Sequence, residues 1–388
     1  MNEKKVQQFL SRSARIGRRR RRIRRRRRRR GRRGRRRRRN QQSLHLPEEI
    51  IEEILSRLAV KSLLRLRCVS KTWRSLIGSK RFIKAHHQNS MKNPCFPHQR
   101  FIIREMSNDR LEECSLQSLL SEPPISRYSL DDALATLLPY QILGCCNGLF
   151  CVLKKSRKRA TIVYLWNPST RTSKKLPEIS SPGNVRNYGF GWVESSDEYK
   201  VFVVVENFHI YNSKRVVKVY SSKTKSWKTI ELSGYLRLSW GGGVFAGGKL
   251  YWRNSINLYK EEINSLDLKS EVFGRIELPF DHEFCRKWYW FVGVLGGLLC
   301  VLCHIEFNSN VVRVWVMKES WKRVATFAHL VELLQPAPLL VGRKGQILLN
   351  CGSTLLVYDC GDNVFRRRDE VCYQSRVYVE SLVSPEDL

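Results

Sequence analysis

The sequence lacks the marks of a catalyst. It has no G-x-S-x-G elbow, no P-loop and no dinucleotide fingerprint. Gly241-Gly242-Gly243 is followed by neither a lysine nor a helix signal, and the eight histidines do not cluster with carboxylates. Export marks are missing too. The opening MNEKKVQQFL is not a signal peptide, and Asn167-Pro168-Ser169 is disqualified as a glycosylation site by its proline. The twelve cysteines are scattered, most of them in apolar runs. They read as free thiols behaving as small hydrophobes in a reducing compartment, nucleus and/or cytoplasm. The uncharged run Trp288–Cys303 spans sixteen residues, short of the roughly 20 a spanning helix needs. Gly293, Gly296 and Gly297 punctuate it, so it reads as a pair of buried strands.

Two cysteine patterns invite chemistry. Cys300-Val-Leu-Cys303-His304 fits a haem-attachment spacing, but cysteines three apart on a strand face opposite sides. Cys145-Cys146 has no second pair at zinc-finger spacing. Both read as structural thiols, with no metal and no cofactor implied.

Acidic residues are scarce at one end. Lys plus Arg total 71 against 35 Asp plus Glu, a net of +36. Residues 1–45 hold 21 Arg and two Lys against one Glu, a net of +22, which leaves +14 for the remainder. A leader this dense in arginine repels itself and builds no core, so residues 1–43 are expected to be disordered. Four readings stay open for it: a solvated tail, a nuclear or nucleolar import signal, non-specific nucleic-acid binding, or a miscalled gene start.

The stretch Leu46–Ile77 reads as three short helices. Pro47 suits a helix start, and Glu48, Glu49, Glu52 and Glu53 favour its positive end. Leu46, Ile50, Ile54 and Leu58 recur every four residues, with Ile51 and Leu55 widening the stripe. A second helix over about Lys61–Cys68 carries Leu63, Leu64 and Leu66. Ser70 is expected to cap a third, with Trp73, Leu76 and Ile77. About thirty residues cannot bury this surface among themselves. It is either a helical cap on the body or a docking surface for another protein.

From Met91 to Tyr140 the pattern weakens, with one strand expected near Gln99–Arg104. From Ile142 a unit repeats five times: a glycine-marked turn, an apolar strand, then a strand leading to a polar turn. Gly148, Gly248, Gly297 and Gly345 lie 100, 49 and 48 residues apart. A period near 50 suits four-stranded propeller blades. A sixth blade is assembled from Phe101–Ile103 and the final SRVYVESLV. The competing architecture is an open two-sheet β sandwich.

These residues resemble a known family. L-P-x-E-I-x-x-E-I-L-x-R-L, then K-S-L-L-R-x-R-C-V and S-K-x-W-R-S-L-I, resembles the F-box of plant F-box proteins over Leu44 to about Phe82. Asn147-Gly148-Leu149, Trp166-Asn167-Pro168 and the closing YVESLV resemble its F-box-associated, kelch-type domain. The resemblance implies a small three-helix F-box at 44–84, a linker at 85–98 and an all-β, six-bladed kelch-like β-propeller at 99–388: an α+β multidomain chain. It implies that the F-box binds a Skp-type adaptor and, through it, a cullin and RING subunit. Leu46, Pro47, Ile50, Ile54, Leu55, Leu58, Leu63, Leu66, Val69 and Trp73 match the F-box hydrophobic positions. Ala59 stands where relatives usually have proline, a loss worth under about 1 kcal/mol. The chain would then be a non-catalytic substrate receptor of a ubiquitin ligase, with the propeller holding a target protein. Trp192, Trp240 and Trp288 are candidate target anchors. The competing functions are an arginine-tail RNA- or ribosome-associated nuclear protein with an incidental F-box, and a propeller enzyme carrying a metal or cofactor.

Overall fold

Helix α1, Glu48–Ser56, begins as its sequence requires, with Glu48 and Glu49 in the first turn. The carbonyl of Pro47 accepts from the amides of Ile50 and Ile51, each at 3.1 Å. Helix α2 spans Val60–Leu66. Helix α3, Lys71–Gly78, is capped by Ser70, whose hydroxyl accepts from the amide of Trp73 at 3.1 Å. Helix α4 spans Lys80–Lys92. The stretch expected as a linker, 85–98, is thus helical as far as Lys92. Neither glycine nor proline interrupts Lys80–Lys92, and Phe82, His86 and Ser90 are buried at four-residue spacing. Two of those three side chains are polar, which hides the stripe from a hydrophobicity pattern.

This computed structural model describes residues 46–92, 98–105, 111–120, 127–130, 140–155, 161–179, 183–207, 214–230, 241–257, 260–280, 290–305, 311–328, 337–341, 345–350, 354–368 and 372–388. The chain divides into two units, Met1–Ile54 and Leu55–Leu388.

The second unit is built on six sheets. Five blades each come from one continuous stretch. The first holds Tyr140–Cys146, Leu149–Lys155, Thr161–Asn167 and Thr172–Lys175, paired antiparallel in that order. The second to fifth begin at Asn184, Val244, Trp290 and Ala337. The first strands of successive blades touch one another all the way round, so the ring closes and those strands line its axis. The β sandwich is excluded by this closure.

Among the described residues, an apolar cluster lies between each pair of neighbouring blades. Strand alternation feeds both faces of every sheet. Cys300 lies in the cluster between the fourth and fifth blades, and Cys303 in that between the third and fourth. The uncharged run supplies two strands, Trp290–Leu295 and Leu298–Ile305, joined at Gly296 and Gly297. Among the described residues no helix is long and apolar enough to cross a membrane.

The marker glycines Gly148, Gly248, Gly297 and Gly345 sit where the first strand of a blade turns into the second. Asn147 and Gly148 both take positive φ, 50° and 75°, the geometry of a tight I′ hairpin. In the second blade a short 3-10 turn ending on Asp197, at φ 50°, replaces the glycine turn. That replacement is why the spacing doubles to 100 there.

The sixth blade joins the two ends of the unit. Its innermost strand, Cys372–Val379, pairs antiparallel with Gln99–Glu105, from Val379 opposite Gln99 to Cys372 opposite Glu105. Leu111–Ser115 and Arg127–Ser129 complete it. These two strands were not legible in the sequence, since LEECS and RYS carry no period-2 stripe of apolar residues.

Beyond Val379 the chain crosses to the first blade. The Asn167 amide donates to the carbonyls of Ser381 at 2.9 Å and Val383 at 2.7 Å. Its oxygen accepts from the amides of Ser169 and Thr170, closing its own turn. Gly148 lies flush against the same segment, so a Cβ there would meet Ser381 Cβ at 2.4 Å and the Val379 carbonyl at 2.6 Å.

Helix α4 rests on this end of the ring. Fully buried His86 donates from Nε2 to the Leu58 carbonyl at 2.8 Å, and its ring lies 5.7 Å from that of His98. His87 lies beside the side chain of Asn147. Lys84 Nζ stands 5.6 Å from the centre of the Trp192 ring. Burial holds His86 and His98 below the ordinary imidazole range. His87 is lowered to about 4, by burial first and then by neighbouring His86. A second proton on His86 would fall on Nδ1, which has no hydrogen-bond partner among the described residues.

Two outcomes follow. Gly148→Ala should cost at least about 2 kcal/mol, combining left-handed strain with the clash. Gly297→Ala, at φ 80° with nothing within 4 Å, should cost only the strain, roughly 1 kcal/mol; urea unfolding of the two variants distinguishes them. Because the three histidines bind protons more weakly in the folded than in the unfolded state, their contribution is present above pH 6.5 and lost as pH falls towards 4. The unfolding free energy from urea titration should therefore drop between pH 6.5 and 5, by on the order of 1–2 kcal/mol for His87 alone. His87→Gln should flatten that drop.

Candidate functional site

The ten positions matched to an F-box separate by exposure. Leu46, Ile50 and Ile54 are 53%, 42% and 49% exposed. With exposed Pro47 they form a stripe along one side of α1. Val69, in the turn after α2, is also exposed. Leu58, Leu66 and Trp73 are half-buried. Leu55 and Leu63 are fully buried, as are Val60, Ile77 and Phe82. Four-residue spacing explains the first group, because it keeps side chains on one helix face. Leu55 stands one residue on from Ile54, about 100° around the helix, and so turns away from that face.

Three large aliphatics exposed in a row are unusual on a surface that stays in water. Fully burying each is worth about 1.5–3 kcal/mol. The neighbouring segment, residues 55–92, carries ten Lys or Arg and no Asp or Glu. A protein covering these helices is best matched if it pairs an apolar groove with acidic surroundings.

The candidate target anchors fare differently. Trp192 is half-buried, its indole N–H donates to Asp197 Oδ1 at 3.3 Å, and Lys84 of α4 lies over its ring. Its ring is thus partly engaged by α4. Trp240 and Trp288 lie outside the described residues.

Sequence reasoning missed Glu380, His86, His87 and His98, which join the helices to the ring. Only the YVESLV phrase pointed at one of them.

The tempting chemistry meets inert surroundings. Burial pushes the Cys145 thiol up to about 12 and raises those of Cys146, Cys151 and Cys300. Thiols so raised are poor nucleophiles at neutral pH. Among the described residues no three His, Cys, Asp or Glu side chains are grouped to hold a metal ion. An open groove between the first two blades is lined by Lys174, Lys175, Tyr220 and Lys225. Lys174 is engaged there by the Leu388 and Glu386 carbonyls, and Lys175 by Glu178 at 2.8 Å.

The chain matches two protein families. The F-box domain matches residues 43–85, and the F-box associated beta propeller domain matches residues 92–384. An F-box/kelch-repeat protein of Arabidopsis thaliana is 30% identical, across 89% of this chain and 97% of its own. The F-box protein CPR1 of Arabidopsis thaliana is 29% identical, over 81% of each chain. Another Arabidopsis thaliana F-box protein is 29% identical, over 82% of this chain and 89% of its own. The helices over 48–92 and the closed six-bladed ring match these two domains in order, and the chain belongs to the F-box proteins that carry an F-box associated β-propeller.

Proposed function

We propose that this protein is the substrate-recognition subunit of a Skp–cullin–F-box type ubiquitin ligase. The observation that carries this reading is the exposed stripe Leu46, Ile50, Ile54 within a matched F-box. On this reading the stripe enters an apolar groove of a Skp-type adaptor, which links the chain to a cullin and RING subunit. The propeller holds a target protein. Rate enhancement comes from proximity: a target lysine is kept at high effective concentration near the activated ubiquitin. The chain supplies binding and no bond-making residue, and works in the nucleus or cytoplasm.

The target is assigned to the end of the ring away from the helices. Helix α4 and the segment after Val379 occupy the end where first strands turn into second strands, at Asn147, Asp197 and Glu380.

The test is capture of a Skp-type adaptor by the full chain. Leu46→Ala/Pro47→Ala should weaken capture, and Ile50→Asp/Ile54→Asp should abolish it, a loss of at least about 100-fold. Removing residues 1–40 should leave capture intact. Capture lost with the leader and indifferent to the stripe would instead favour an arginine-tail nucleic-acid binder with an incidental F-box.

A further inference from the structure

The start of α2 is the weak point of the helical layer. Its N-cap is Ala59, which has no side-chain acceptor to offer. By contrast, α3 starts on Ser70 and α4 on Ser79, and each hydroxyl accepts a backbone amide. A helix start without a cap leaves its first amides orphaned. Here the acceptor arrives from 320 residues away: Glu380 Oε2 accepts from the Val60 amide at 3.3 Å.

The same carboxylate has a second partner. Glu380 Oε1 accepts from Arg100 Nε at 2.7 Å, and the Glu380 amide donates to the His98 carbonyl at 2.9 Å. Glu380 is only 5% exposed, and it follows directly on the innermost strand Cys372–Val379. Arg100 belongs to the partner strand of that pairing. One side chain therefore ties a helix to both strands that close the ring. Arg100 holds the carboxylate by a charge-assisted bond, and the positive end of α2 favours an anion at that spot.

We propose that Glu380 is a positioning residue: its carboxylate fixes how helices α2–α4 sit on the propeller, and so where a held target is presented. The consequence for presentation rests on the ligase-receptor reading; the geometry does not. A serine or aspartate at position 59 would cap α2 equally well, but would leave the helix unconnected to the closing blade. The distant acceptor does both.

The test separates capping from positioning. Cys68 and Cys360 are exposed, and lie on the helical layer and in a turn of the fifth blade. Nitroxide labels on this pair, in a full chain with Cys95, Cys285, Cys351 and Cys372 changed to serine, report the distance between layer and ring by pulsed electron spin resonance. The unchanged Glu380 chain should give one narrow distance. Glu380→Ala should broaden it and speed hydrogen exchange of the α2 amides about five- to tenfold. Glu380→Gln keeps an acceptor for Val60 and weakens the Arg100 bond, so it should fall between. Adding Ala59→Asp to Glu380→Ala should restore slow exchange in α2 without restoring the narrow distance. An unchanged distance in Glu380→Ala overturns the proposal, and so does recovery of both readouts by Ala59→Asp, which would make Glu380 a cap alone. If Glu380→Ala does not fold, the Gln variant decides: a broadened distance supports the proposal and an unchanged one overturns it. Adaptor capture is scored separately. Its absence in the unchanged chain would end the ligase reading and leave the distance result standing.

Discussion

The pairing of Cys372–Val379 with Gln99–Glu105 is the constraint on which the rest depends. Without it the first blade has no neighbour on one side, and the clusters around Phe101 and around Phe150 lose a wall. A ring of sheets is stable because each sheet buries both faces, and one missing contact exposes two of them. Closure by strands from both ends of the unit makes this a long-range event. Pairing strands so far apart in the chain raises the loop-closure cost of that step.

The closing blade also explains why the helices and the propeller form one unit from Leu55 onward. Gln99 follows α4 closely in the chain, so strand and helix share an origin. The final strand ends beside them, and Glu380 and Ser381 spend their polar groups on α2, Arg100 and the first blade. Packing contributes as well, through Phe82 and His86 beneath α4. The neutral histidines there are tolerated because burial disfavours their charged form, and the same fact makes the junction sensitive to acid.

Local signals in the sequence were strong where the structure is local. Leu46, Ile50 and Ile54 announced a helix face by spacing, Ser70 announced a cap, and the glycine turns together with the repeated strand pairs announced five blades. The sixth blade was legible only through its apolar ends, because Leu111–Ser115 and Arg127–Ser129 are short and polar. Helix α4 hid behind His86 and Ser90, which are buried although polar. The second blade hid its turn by using Asp197 in place of glycine. Least legible was Glu380, since nothing in a chain pattern links a glutamate to an amide 320 residues earlier.

The phrases that carry the family likeness are themselves structural. Gly148 leaves room for Ser381, Asn167 ties down Ser381 and Val383, and Glu380 caps α2. All three meet at one seam, so their side chains and backbone surfaces are already consumed by closing the ring and seating the helices. A residue fully engaged in such contacts has no capacity left to discriminate between targets. Resemblance at these phrases therefore reports the scaffold, and specificity has to be sought on surfaces that closure does not use. On that ground Trp192, with its indole N–H on Asp197 and Lys84 over its ring, is already partly engaged by the seating of the helices.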